Sequence, residues 1–96
     1  MSDVFEVIDK LGKKIRLEKK QFTHMMKKHP YMEKYLEEIK ETIKSPDKLI
    51  QPSEDKGYYY KNYKSLKLPN KFILVIVRYL NNHGFVITAY LQGKIK

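Results

Sequence analysis

The residues in this 96-residue chain with the chemistry to act on another molecule are few. They are three histidines, two strand hydroxyls, two arginines and a run of tyrosines. Histidine titrates near neutral pH, which suits His24 and His29 to general acid or base work. Each also has a plainer reading. His24 lies at the edge of an apolar helix face (Phe22, Met25, Met26) and can simply pack over the core. His29 sits at a helix C-terminus, where a cationic imidazole is favoured. Residues five apart on one continuous helix differ by about 140° around its axis. His24 and His29 therefore do not converge as an i,i+4 metal pair would, and with no cysteine or suitably spaced acid no metal site is expected. His83 reads as a turn residue.

Thr88 and Tyr90 are two apart in the last apolar segment, so as a strand they project from one face. Their hydroxyls either contact a phosphate or are ordinary strand usage. Strict alternation places Phe85, Ile87, Ala89 and Leu91 on the core side, with Val86, Thr88 and Tyr90 opposite. Arg78 ends the preceding apolar run. An even turn pairs it with Ile87 on the core-side face, whereas an odd loop with a bulge sends it to the Thr88 face. Tyr58, Tyr59, Tyr60, Lys61, Tyr63 and Lys64 interleave rings and cations. That pattern suits stacking on unpaired bases and pairing with phosphates; equally, the tyrosines can cover a sheet.

The elements that must position these groups follow from periodicity. Val4–Ile8 and Lys14–Leu17 read as short extended segments broken by Gly12, forming a hairpin. Residues 18–28 follow a helical pattern that Pro30 ends. A second helix begins at Pro30. Met32, Tyr35, Leu36, Ile39 and Ile43 form its apolar stripe, and Ser45-Pro46-Asp47 stops it. Leu49-Ile50 starts a strand, Gln51–Gly57 reads as a polar loop, and Tyr58–Tyr63 is β-prone. Pro69-Asn70 marks a turn. Phe72–Leu80 is apolar enough for a central strand covered on both faces, and it is followed by a turn at residues 81–84 and a last strand. The fold class is α+β, one domain over residues 1–96: a short N-terminal β segment, two helices, then a twisted antiparallel sheet of three to four strands.

Charge adds direction. The chain carries +9 at pH 7. Residues 1–55 hold 12 basic and 11 acidic side chains, while residues 56–96 hold eight basic and no acidic ones. The acid-free part is a candidate footprint for a polyanion. The absence of cysteine excludes disulfides, thiolate zinc sites and a thiol nucleophile. No apolar run reaches the roughly 20 residues of a membrane span. The first ten residues carry acids where a signal peptide needs bases. A soluble, cytoplasmic protein with no membrane association is the expectation.

The stretch from Lys14 to the C-terminus resembles the phage- and mobile-element-associated nuclease domains of the barnase–EndoU–colicin–RelE superfamily. The resemblance is carried by His24, His29-Pro30, Ser45-Pro46-Asp47 and Thr88-Ala89-Tyr90. It implies a RelE- or barnase-like α+β fold and RNA cleavage without metal or other cofactor. It makes His24 and His29 the helix-side catalytic candidates, and Thr88 and Tyr90 the sheet-side ones. A histidine would deprotonate the ribose 2′-OH for attack on the adjacent phosphorus, and a second group would protonate the leaving 5′-oxygen. Thr88, Arg78 or Lys94 would stabilise the phosphate oxygens, and Tyr58, Tyr60 and Lys61 would bind the RNA. Three alternatives stay open. One is an RNA-binding domain without chemistry. Another is a RelE-like toxin, ribosome- or tRNA-directed, with an antitoxin or immunity protein as partner. The third is an interaction module using the acidic helix 31–45.

Overall fold

Two short strands open the chain, β1 (Asp3–Ile8) and β2 (Lys14–Glu18), paired antiparallel in the computed structural model, which describes residues 3–63 and 72–93. Asp9 builds the turn between them. Its Oδ1 accepts the backbone N–H of Leu11 at 2.9 Å and of Lys13 at 2.8 Å. Gly12 takes φ +85°, a conformation that costs little without a Cβ.

Helix α1 (Lys19–Lys28) follows β2 directly. Met25 is buried, Phe22 and Met26 pack beside it, and Lys27 and Lys28 occupy the last turn, where the helix dipole favours cations. His29 leaves helical geometry ahead of Pro30. The second helix departs from the sequence reading at its start. Pro30–Tyr35 winds as a 3₁₀ helix, with the Met32 N–H bonded to the His29 carbonyl at 3.0 Å, and only then does α2 (Leu36–Lys44) begin. Tight turns are common at helix N-termini. This one buries Met32 and leaves Tyr31 exposed.

The remaining strands are β3 (Lys48–Ser53), β4 (Lys56–Asn62), β5 (Phe72–Leu80) and β6 (His83–Gln92). The Pro69-Asn70 turn, Lys64 and Lys94 lie outside the described residues. The sheet has six strands in the order β1-β2-β6-β5-β4-β3, against the three to four expected. Two features account for the difference. Most of Gln51–Gly57 is strand rather than loop, because Ser53 pairs with Lys56 across a two-residue turn. Polar residues suffice there, since an edge strand need bury little. The N-terminal hairpin also joins the main sheet. Lys14–Arg16 lies parallel to His83–Phe85, which makes the sheet mixed rather than antiparallel.

Both helices pack on one side of this sheet. Ile15, Leu17, Tyr59, Val75 and Val77 meet Met25, Met32, Ile39 and Ile43 there, all fully or nearly fully buried. Within that core lies a polar chain. The Tyr59 hydroxyl donates to Asp9 Oδ2 at 2.6 Å and meets the Tyr79 hydroxyl at 2.7 Å. It ties the β1–β2 turn to β4 and β5.

Strict alternation in β6 fails at one residue. Leu80 pairs with His83, so Asn81-Asn82 is a two-residue turn with Asn81 at φ 59°. Val77 then pairs with Val86, but Ile76 pairs with Thr88, leaving Ile87 as an extra residue in a β-bulge. The expected core face Phe85-Ile87-Ala89-Leu91 is corrected accordingly. Val86 and Ala89 are buried under the helices, whereas Phe85 and Ile87 are half-exposed.

Candidate active site on the open sheet face

The cross-strand register defines what the side away from the helices presents. Tyr90, Leu74, Tyr60 and Lys48 form one row. Thr88, Ile76, Tyr58 and Ile50 form the next. Arg16, Phe85, Arg78 and Lys56 form the third. The bulge is what brings Thr88, Tyr90 and Arg78 onto this one face. With strict alternation through Ile87, Thr88 and Tyr90 would lie on the face opposite Phe85 and Arg78.

Helix α1 reaches the site because β2 leaves β6 after three paired residues. The helix then runs along the vacated edge of β6. The Gln21 side-chain amide donates to the carbonyl of the bulged Ile87, satisfying a backbone acceptor that the missing strand would have paired. At the far end of α1 the chain turns at Pro30. His29 is thereby delivered to the sheet with its ring centroid 5.0 Å from that of Tyr90. Tyr31 stands beside it, its hydroxyl 3.3 Å from His29 Nδ1 and its ring 5.8 Å away edge-on. That contact engages one imidazole nitrogen and leaves Nε2 for another partner. Burial, and then the nearby Tyr60, Tyr58 and Tyr31 hydroxyls, push the Tyr90 phenol above its ordinary value. It therefore stays a proton-bearing donor at neutral pH.

The other candidate residues are placed less uniformly. His24 is exposed on α1, and among the described residues no hydrogen bond or ring contact links it to Thr88 or Tyr90. Tyr58 is half-buried on the open face. Tyr60 is on the same face but only 1% exposed, with the Phe72 ring 6.4 Å away at 87°, so it offers no free ring to a base. Lys61 points to the opposite side, where its ammonium donates to the Ser45 carbonyl at 2.7 Å and caps α2. Arg78 is exposed, with Asp55 at 3.8 Å. Sequence reasoning missed Tyr31 and Phe85. Tyr31 lies next to His29-Pro30 in sequence, so proximity was its available signal. Phe85 was misplaced by the unseen bulge.

Among the described residues, no three His, Asp or Glu side chains gather as a metal-ligand cluster. Among the described residues, no helix is long and apolar enough to cross a membrane.

The profile of the family described as phage-Barnase-EndoU-ColicinE5/D-RelE like nuclease 2, PBECR2, matches residues 3–94. The chain belongs to this family. No curated protein and no solved structure gives a significant match. The PBECR2 match spans β1 through the end of β6, so it covers both the helix that supplies His29 and the strand that supplies Tyr90. A nuclease-like family and a site with an imidazole against a phenol suit each other chemically.

Proposed function

We propose that the protein is an endoribonuclease that needs no metal and works by transesterification through the ribose 2′-OH. The observation that carries this reading is the His29–Tyr90 juxtaposition on the sheet face away from the helices. His29, oriented through Nδ1 by Tyr31, takes the 2′-OH proton at Nε2. The 2′-oxygen attacks the adjacent phosphorus, the P–O5′ bond breaks, and the Tyr90 phenol protonates the departing 5′-oxygen. The products are a 2′,3′-cyclic phosphate and a free 5′-hydroxyl. Thr88, the next residue on this face from Tyr90, holds the phosphate oxygens, while Arg78 pairs with Phe85 two rows further along the sheet. The nucleophile comes from the substrate, which is why the protein need supply only proton transfer and charge. Deoxyribose lacks that hydroxyl, so DNA is not cleaved.

The deciding experiment incubates the protein with single-stranded RNA in EDTA and examines the ends. Cyclic-phosphate ends that disappear in His29→Ala support the proposal. Binding without turnover makes the chain an RNA-binding domain instead, and EDTA-sensitive cleavage points to metal chemistry.

A further inference from the structure

A second feature of the open face lies at the other end of β6 from His29. A cleft of about 370 Å³ opens there between α1 and the sheet, lined by Glu18, Gln21, Arg78, Phe85, Val86 and Ile87. We infer that this cleft seats a further unpaired nucleotide of the same RNA strand, with its base on Phe85 and its phosphate toward Arg78. The inference rests on the ribonuclease reading and adds a subsite to it.

Several observations converge. Phe85 is a half-exposed ring in a strand whose other aromatic, Tyr90, belongs to the reactive pair. The Arg16 guanidinium lies 5.5 Å from the Phe85 ring and is itself held by Asp3 at 3.9 Å and Glu6 at 3.7 Å. Those two carboxylates offset its charge. Arg78 is different: its side chain is 58% exposed with a single carboxylate, Asp55, at 3.8 Å. Among the residues lining the cleft it is the cation that can face a phosphate. Glu18 would repel a phosphate, which sets the polarity of the cleft. Gln21 spends one amide N–H on the Ile87 carbonyl and keeps its side-chain oxygen and a second N–H. The Glu18 carboxylate and the Gln21 oxygen are acceptors that complement N–H donors on a base edge.

The spacing makes the inference quantitative. From Phe85 to Tyr90 the strand advances roughly 13 Å, discounting the bulged residue. Stacked bases rise about 3.4 Å per step. A dinucleotide cannot fill both places, whereas a longer strand can.

The experiment measures fluorescence anisotropy with labelled, fully 2′-O-methylated oligoadenylates of two and eight nucleotides, which cannot be cleaved by the 2′-OH route. Phe85→Ala is expected to weaken octamer binding about tenfold, as loss of one base stack does, and to leave dinucleotide binding unchanged. Arg78→Gln is expected to weaken the octamer selectively and reduce its salt dependence. Lys10→Ala, on the exposed β1–β2 turn, controls for net charge and leaves both lengths unchanged. Phe85→Leu keeps apolar volume without the ring and repeats the loss if Phe85→Ala misfolds. Unchanged octamer affinity in the Phe85 variants, equal losses at both lengths, or no octamer binding by the wild type overturns the subsite. RNA cleavage by wild type with a Phe85-independent octamer affinity removes the subsite alone. Absence of cleavage with Phe85-dependent octamer binding removes the chemistry alone.

Discussion

The ring of His29 sits 5.0 Å from the ring of Tyr90, joining the end of the first helix to the last strand. Neither residue reaches the other through local structure. The contact exists because β2 stops pairing with β6 after Arg16, α1 fills the gap, and Pro30 turns His29 toward the sheet.

The pair separates the two helix-side histidines. His29→Ala is expected to lower RNA cleavage by 10²- to 10⁴-fold, the usual contribution of a general base or acid. His24→Ala, exposed on α1, is expected to stay within a few-fold of wild type. Single-turnover cleavage of a short RNA measures both, and a large loss in His24→Ala alone reverses the assignment.

Tyr90 gives the reaction a pH signature. Burial and neighbouring hydroxyls raise its phenol above the ordinary tyrosine value of 10.0, so the donor is retained throughout the neutral and mildly alkaline range. The rate should show no decline attributable to Tyr90 below about pH 10. Tyr90→Phe should cost at least about tenfold. A wild-type rate that falls between pH 8 and 9, with the fall absent in Tyr90→Phe, contradicts the raised phenol, and an undiminished rate in Tyr90→Phe contradicts the donor role.

The buried Asp9–Tyr59–Tyr79 chain is a stability element. Tyr59→Phe removes the hydroxyl that satisfies Asp9 Oδ2 and bonds Tyr79. The expected cost is about 2 kcal/mol, the range for leaving a buried polar group short of a partner. Urea unfolding reads it as a lower midpoint at constant slope. Gly57→Ala tests the same corner sterically. A Cβ there would collide with the Tyr79 hydroxyl and approach its ring carbon Cζ at 2.8 Å, so the network must shift and stability fall.

Alkaline pH should loosen the fold through the same class of residue. The Tyr63 phenol is pushed up to about 12, first by burial, and Tyr59 is raised in the same direction. A raised folded-state value means that the folded state holds its proton more tightly than the unfolded chain. The resulting stabilisation is complete below the unfolded value near 10 and is lost as pH rises from there through the folded value. Denaturation midpoints measured from pH 8 to 12 should fall above pH 10, and less steeply in Tyr63→Phe. An equal slope in that variant would show that Tyr63 does not contribute.

How much of this was legible in the sequence depends on the range of the interaction involved. Gly12, Pro30 and Ser45-Pro46 ended elements where expected because backbone geometry is set by residues within a few positions. The β1–β2 hairpin, α1 and the long apolar β5 followed from periodicity for the same reason. The chemistry-bearing residues were likewise visible by type, since imidazoles and guanidiniums are scarce here and half of the eight phenols fall within residues 58–63.

Only the tertiary structure decided which of them meet. A β-bulge leaves no composition signal, yet it reversed the face of Phe85 and put Thr88, Tyr90 and Arg78 together. Parallel pairing of β2 with β6 joins opposite ends of the chain, so no local pattern encodes it. The tyrosine run divided three ways: Tyr59 into the helix-side core, Tyr60 buried beside Phe72, and Tyr58 half-exposed. Lys61 went to the helix side to cap α2. The sequence by itself thus determined the elements and the stock of reactive groups, because those depend on local sterics and side-chain chemistry. Which groups share a surface was settled by register and strand order, which arise only when distant segments pack together.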